Sequence, residues 1–353
     1  MTQTALVVGA SGIVGSAISQ LLIDNKWQVA ALSRHPPQAP GMIPIAADLQ
    51  DPASLDHALA DLKPTHVFLT TWSRQATEAE NIRINAAMVH NVLAAIRPAK
   101  SVEHVALVTG LKHYLGPFEA YGKGSLPQTP FREEQGRLDI ENFYYAQEDE
   151  LFAAAEKDGF TWSVHRPHTV TGVAVGNAMN MASTLAVYAS ICRQTDRPFV
   201  FPGSRMQWDS LTDMTDARQL AKQLMWAATT PAAANQAFNV TNGDVFRWKW
   251  MWSRIAEYFG LSAADYPATL SPLEKQMVDD QVAWTQIVAE HGLKKSDIGR
   301  LVSAWHTDAD LGRPIEVVTD MSKSRAMGFT AYQASDQAFF DVFDKLRDMN
   351  LIP

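Results

Sequence analysis

Ala5-Leu6-Val7-Val8-Gly9-Ala10-Ser11-Gly12-Ile13-Val14-Gly15 opens the chain as an apolar run that ends among three glycines. A helix-like stretch, Ser16 to Leu22, follows at once. Strand, glycine turn and helix in that order are what a dinucleotide site needs. Glycine allows the tight turn, close backbone approach to a pyrophosphate, and packing of helix on strand. The helix start adds unpaired N–H groups for the anion. Three glycines alone also fit a surface turn; the order of the elements around them decides. Gly9, Ser11, Gly12, Ile13, Val14 and Gly15 are therefore the expected cofactor-binding turn.

The next strand selects the dinucleotide. It reads Trp27-Gln28-Val29-Ala30-Ala31-Leu32 and ends in Ser33-Arg34. An NAD site expects Asp or Glu about 20 residues after the glycines, accepting from the ribose 2′-hydroxyl. Here a hydroxyl and a guanidinium stand instead, and the planar fork of arginine suits a phosphate. The reading is NADP(H), with Ser33 and Arg34 on the 2′-phosphate. A merely solvated arginine at a strand end fits the same residues.

Composition bounds the rest. The 353 residues are enough for a nucleotide domain plus a smaller companion. The net charge of −8, from 30 basic and 38 acidic residues, argues against a nucleic-acid partner. The single cysteine, Cys192, excludes an internal disulfide, fits a reducing compartment and reads as a small buried apolar residue. The first apolar run lacks a basic region before it, so it is a strand rather than a signal peptide. No apolar stretch reaches the length of a bilayer span. The expectation is a cytoplasmic protein with no membrane and no metal.

Strands and helices alternate along the chain. A third strand covers Ile43 to Asp48, a helix Leu55 to Leu62, a fourth strand His66 to Thr70, and a long helix Ala79 to Ile96. His104 to Thr109 is strand five, Leu111 to Arg137 a loop, Leu138 to Lys157 a helix, and Thr161 to Arg166 strand six. This predicts an α/β fold, a Rossmann-type doubly wound parallel sheet that binds ligands at the carboxyl ends of its strands. A helix near Thr215 to Ala228 and a strand Ala237 to Val240 return to that sheet. The expected division is a nucleotide domain of 1–171 with 206–243, and a mostly helical substrate cap of 172–205 and 244–353. Strand-end residues then become cofactor candidates: Asp48 and Leu49 near the adenine, Thr70, Thr71 and Trp72 beside the cofactor, and Thr109 and Gly110 after strand five. Pro167, Thr169 and Val170 follow strand six, near the carboxamide. Asp48 also suits the start of a turn.

An NADP domain of the short-chain dehydrogenase type carries a tyrosine and, one helical turn on, a lysine. Here the tyrosine stretch is Asn142-Phe143-Tyr144-Tyr145-Ala146-Gln147-Glu148, which puts Glu148 on the face of Tyr144. A carboxylate there would raise the phenol pKa, the wrong direction for an acid working near neutrality. A cation must arrive from elsewhere. Lys112, just past strand five, is placed to supply one, although a solvated loop lysine reads equally well from position alone.

Gly110-Leu111-Lys112-His113-Tyr114-Leu115-Gly116-Pro117-Phe118-Glu119, Asn142-Phe143-Tyr144-Tyr145 and Trp162-Ser163-Val164-His165-Arg166-Pro167 together resemble the signature blocks of the progesterone 5β-reductase/iridoid synthase-like (PRISE) enone reductases. Asn239 to Phe246 and Met321-Ser322-Lys323-Ser324 extend the resemblance over essentially the whole chain. This family is a divergent branch of the extended short-chain dehydrogenases with a displaced lysine. The resemblance implies that Tyr144 and Lys112 are catalytic, that both also contact NADPH, and that the reaction is conjugate reduction of a small-molecule enone. It also implies a homodimer.

Trp72, Phe118 and Met181, in the Met179-Asn180-Met181 cluster, are candidates for an apolar substrate wall, and each also fits a core position. His113 reads best as a loop histidine facing water. Phe246-Arg247-Trp248-Lys249-Trp250-Met251-Trp252 looks like a nucleic-acid stripe, but on a helix its aromatics divide between faces, so cap core is the stronger reading. His168 and the polar segment His306-Thr307-Asp308-Ala309 depart from the steroid-reducing pattern and bear on the substrate. Two rivals remain: a nucleotide-sugar epimerase or dehydratase, which would keep lysine at position 148 and often an acid after strand two, and a non-catalytic NADP sensor, which needs neither Lys112 nor Tyr144.

Overall fold

Ala5, Leu6, Val7 and Val8 are all fully buried, so the strand they form must be covered on both faces. A computed structural model describes residues 3–117, 120, 128–174 and 179–353. The first half runs β1 (Thr4–Val8), α1 (Ile13–Asp24), β2 (Gln28–Ser33), β3 (Met42–Ala46), α2 (Pro52–Leu59), β4 (His66–Leu69), α3 (Glu78–Ile96), β5 (His104–Val108), α4 (Lys112–Leu115), α5 (Phe143–Asp158) and β6 (Thr161–Pro167). The second half runs β7 (Val170–Thr171), α6 (Met181–Thr195), α7 (Arg205–Asp209), β8 (Thr215–Asp216), α8 (Ala217–Thr229), β9 (Gln236–Val240), α9 (Trp248–Tyr258), α10 (Leu273–Gln276), α11 (Asp280–His291), α12 (Ala304–Leu311), α13 (Ser322–Ala326) and α14 (Ser335–Asp348).

Seven strands form one parallel sheet in the order β3-β2-β1-β4-β5-β6-β9. Val8 is in register with Leu32 on one side and Leu69 on the other. Alternation along β1 then decides which helices meet which residues. Val7 faces α1 and α8 with Phe68, Ile18 and Leu220, whereas Leu6 and Val8 face α3 and α5 with Val92 and Leu151. The sheet is a doubly wound Rossmann sheet. Its strand order reverses between β1 and β4, which opens a crevice at their carboxyl ends.

A second core lies away from the sheet. Every side chain of α6 from Met181 to Cys192 is buried, and Trp252, Trp284 and Phe343 pack with them. Trp252 stacks on Phe199 at 4.1 Å between ring centroids. The Phe246 to Trp252 stretch serves this core: Trp248, Met251 and Trp252 are buried on α9, and Trp250 alone of its tryptophans is exposed. Cys192 is a buried free thiol. Among the described residues, no helix is long and apolar enough to cross a membrane, and no group of acidic, histidine or cysteine side chains is arranged to hold a metal ion.

Two local expectations change. The tyrosine helix begins at Phe143 rather than Leu138, because the Asn142 side chain caps it by accepting from the Tyr144 N–H at 3.0 Å. The predicted loop after strand five holds the short helix α4, which buries His113 to 2% exposure. His113 therefore does not face water.

Histidines deeper in the sheet make stability depend on pH. His104 and His165 are linked through Ser163, with Nε2 to Oγ distances of 2.9 Å from each, and His165 Nδ1 lies 2.8 Å from Gln223. Burial pushes His104 down to about 3 and His165 down to about 4. The unfolded chain binds protons near the ordinary value of about 6.5, so it takes up more protons than the fold as pH drops below that point. Stability should fall from about pH 6.5 toward 4. Urea midpoints measured at pH 7, 6 and 5 should decrease in that order, and less steeply in His165→Gln; midpoints independent of pH would contradict the assignment.

Candidate active site

The crevice at the β1/β4 reversal is a cavity of about 750 Å³. Gly9, Ser11, Gly12, Ile13 and Val14 line one part of it. Gly9 has φ +87°, and a Cβ there would come within 2.8 Å of the Thr71 Cβ. Gly15 does not line the cavity; a Cβ on it would lie 2.1 Å from the Gly9 carbonyl oxygen, so it serves the approach of α1 to the turn. Gly12 is the N-cap of α1 and provides no side-chain cap, which leaves the first helical N–H groups for a ligand. This turn and the cavity fit a dinucleotide.

The other predicted strand ends gather in the same place. Ser33 and Arg34, Asp48 and Leu49, and Thr70, Thr71 and Trp72 all line the cavity, as do Thr109, Gly110, Pro167, Thr169 and Val170. Arg34 is exposed at the rim. Thr70 donates from its hydroxyl to the Val8 carbonyl at 2.8 Å, tying the end of β4 to β1. The Asp48 carboxylate accepts from the Gln50 N–H at 2.9 Å, so it shapes its own turn while lining the cavity. Met181 is buried in the helical core, and Met179 is the cavity residue of that pair. Phe118 lies outside the described residues.

Tyr144 and Lys112 are both buried and both line this cavity. A Cβ on Gly110 would lie 3.1 Å from the Tyr144 hydroxyl oxygen, so the phenol sits against the chain as it leaves β5. The Lys112 Nζ lies 5.0 Å from the ring centroids of both Trp72 and Phe143. One side chain locks the two segments together: Asn142 caps α5 and donates from Nδ2 to the Lys112 carbonyl at 2.7 Å. The second tyrosine has a different task. Tyr145 donates from its hydroxyl to the His113 carbonyl and so braces α4 from behind.

Glu148 departs from its sequence expectation. Its carboxylate is engaged by Arg137 at 3.0 Å, Arg166 at 3.5 Å and His113 at 3.7 Å. Burial by itself raises its pKa, but His113, Arg166 and Arg137 together hold it below the ordinary value. Its charge acts on Tyr145, whose phenol is pushed up mainly by burial and further by Glu148.

The structure brings His306 of the polar segment to the site and adds two residues that sequence reading missed, Asp310 and Arg313. His306, Asp310 and Arg313 line the cavity beside His168. Asp310 accepts from the Thr169 hydroxyl at 2.7 Å and is paired with Arg313. Arg313 Nη1 reaches His168 Nε2 at 2.6 Å, and His168 Nδ1 meets Asp213 at 2.8 Å. Burial raises the Asp310 pKa, yet Arg313 and the neighbouring His306 and Thr169 bring it down to about 2. The signal in the sequence was polarity where an apolar wall is usual, at His168 and after Trp305.

Residues 47–353 match the family described as a PRISE-like Rossmann-fold domain. The chain is 36% identical to an (S)-8-oxocitronellyl enol synthase of Camptotheca acuminata, covering 99% of this chain and 93% of that protein. It is 37% identical to a 3-oxo-Δ4,5-steroid 5β-reductase of Arabidopsis thaliana, again over 99% and 93%. Among solved structures, the UDP-glucose 4-epimerase of Thermus thermophilus in complex with NAD superposes with a TM-score of 0.67 at 17% identity, covering 98% of this chain and 99% of that one. That likeness is one of fold.

Proposed function

The chain belongs to the PRISE-like Rossmann-fold family, and from that membership we propose that it is an NADPH-dependent oxidoreductase that reduces the C=C bond of α,β-unsaturated carbonyl compounds. The observation that carries this reading is Lys112 and Tyr144 lining one cavity with the glycine turn and Arg34. Relatives named for an enol product and for 5β-reduction of a steroid enone support it. NADP(H) is held by residues 1–171 and 206–243, and the enone enters under the cap of 172–205 and 244–353. The reducing setting that suits the free thiol of Cys192 is the cytoplasm.

When bound, NADPH supplies the hydride that adds to the β-carbon of the substrate. The chain's part is to hold the carbonyl oxygen on which charge then develops. Tyr144 donates a hydrogen bond to that oxygen, and the Lys112 ammonium stabilises the enolate charge and makes the phenol a stronger donor. Burial of both groups excludes water and strengthens these interactions. The enolate takes a proton from solvent at its α-carbon once the product leaves the cavity, which completes the reduction. Trp72 forms an apolar wall for the substrate.

The decisive assay follows NADPH absorbance, first with a small cyclic enone and then with a nucleotide sugar. Oxidation with the enone alone is expected; turnover of the nucleotide sugar alone would overturn the reading. Arg34→Ala tests cofactor choice. A hydrogen bond to a charged group contributes about 1.5–3 kcal/mol, so kcat/KM with NADPH should drop about 10–100-fold while that with NADH changes little. An unchanged NADPH/NADH ratio would remove Arg34 from the 2′-phosphate.

A further inference from the structure

His306 and Asp310 stand four residues apart on α12, on one helix face, and both line the cavity. Asp310, Arg313, Thr169, His168 and Asp213 are joined in one hydrogen-bonded network. His306 stands outside it: its Nδ1 is buried and has no hydrogen-bond partner among the described residues. Buried polar atoms are nearly always paired, so an imidazole left this way in a cavity wall is placed for a ligand. The charges around it are unequal. Arg74, carried on the segment after β4, stacks on Trp305, the residue before His306, with its guanidinium 3.7 Å from the ring centroid. Asp310 acts most strongly of the charged groups on the imidazole, and Arg313, Lys112 and Arg74 oppose it from three separate segments. Burial lowers the His306 pKa, and the three cations add to that effect against Asp310, so near neutrality the ring is uncharged beside more cations than carboxylates.

We infer that His306, in the field of Arg74, Lys112 and Arg313, holds an anionic group of the substrate, so that the α,β-unsaturated carbonyl compound reduced here carries a carboxylate remote from its carbonyl. The inference rests on the reductase reading above and specifies its substrate class. Tyr144 and Lys112 fix one end of such a molecule, and the α12 wall fixes the other. A neutral oxygen, as in an ester or ketone, would accept the same hydrogen bond but gain little from the surrounding charge.

The test compares two linear enones that differ only at the far end, one bearing a carboxylate and the other its methyl ester. Steady-state NADPH oxidation by the wild-type enzyme should give a kcat/KM at least about tenfold higher for the acid, expressed mainly in KM, as expected for a charge-assisted hydrogen bond. His306→Phe should bring the acid/ester ratio to within about twofold of one. Arg74→Gln, at an exposed site where folding is not at stake, should lower it about threefold, in keeping with a partly screened charge. Equal turnover of acid and ester by the wild-type enzyme overturns the inference and leaves the reductase reading standing. A ratio undiminished in both variants also overturns it. Failure of the wild-type enzyme to oxidise NADPH with either compound overturns the reductase reading itself.

Discussion

Tyr144→Phe should lower kcat for enone reduction about 10²–10³-fold, the usual effect of deleting one donor to a developing oxyanion. The phenol lies against Gly110 in a buried part of the cavity, and the substitution removes one oxygen while keeping the ring that packs on Phe143 at 4.3 Å. The NADPH dissociation constant should stay within about twofold, because the glycine turn and Arg34 are untouched. Single-turnover kinetics with fluorescence titration of NADPH separate the two quantities. A variant that reduces enones at the wild-type rate would exclude Tyr144 from the chemistry, and one that loses NADPH binding in proportion would show that Tyr144 acts through the cofactor alone. Tyr145→Phe is the control: its hydroxyl faces the His113 carbonyl, away from the cavity lining.

Glu148→Gln should destabilise the fold by about 3–5 kcal/mol, the range for removing one partner of a buried ion pair. Glu148 is 1% exposed and Arg166 is 6% exposed, so the arginine would keep its charge with too little solvent to compensate. The urea midpoint at pH 7 reports the loss. The pH dependence has a definite sign. Because the folded carboxyl titrates below the unfolded value of about 4.3, its contribution is complete above that value and disappears as pH falls through the folded pKa. Wild type and Glu148→Gln should therefore converge in acid. A difference of under about 1 kcal/mol at pH 7 would show that water or another group already satisfies Arg166.

Much of this was readable from residue order. Fully apolar Ala5–Val8 followed by glycines pointed to the sheet and to the turn that lines the cavity, and strand ends such as Thr70-Thr71-Trp72 followed from it, since a parallel sheet brings all its carboxyl ends to one edge. Local spacing failed where tertiary charge decided. At positions 144 and 148 the i,i+4 rule suggested a damaging carboxylate, but Arg137, Arg166 and His113 arrive from three other segments and claim Glu148. The fate of His113 was hidden for the same reason: a four-residue helix carries almost no periodic signal, and its burial depends on Tyr145 and Gln135 meeting it from afar. The α12 wall was visible only as unusual polarity, because nothing local says that His306 and Asp310 face the cavity.

The Asn142 amide, which caps α5 and grips the Lys112 carbonyl, makes local order and chemistry rise and fall together. Fraying of one helical turn releases the cap, and with it the anchor of the ammonium some thirty positions earlier. Warming should therefore silence turnover through a small, reversible loosening near residue 142 while the sheet beneath remains intact.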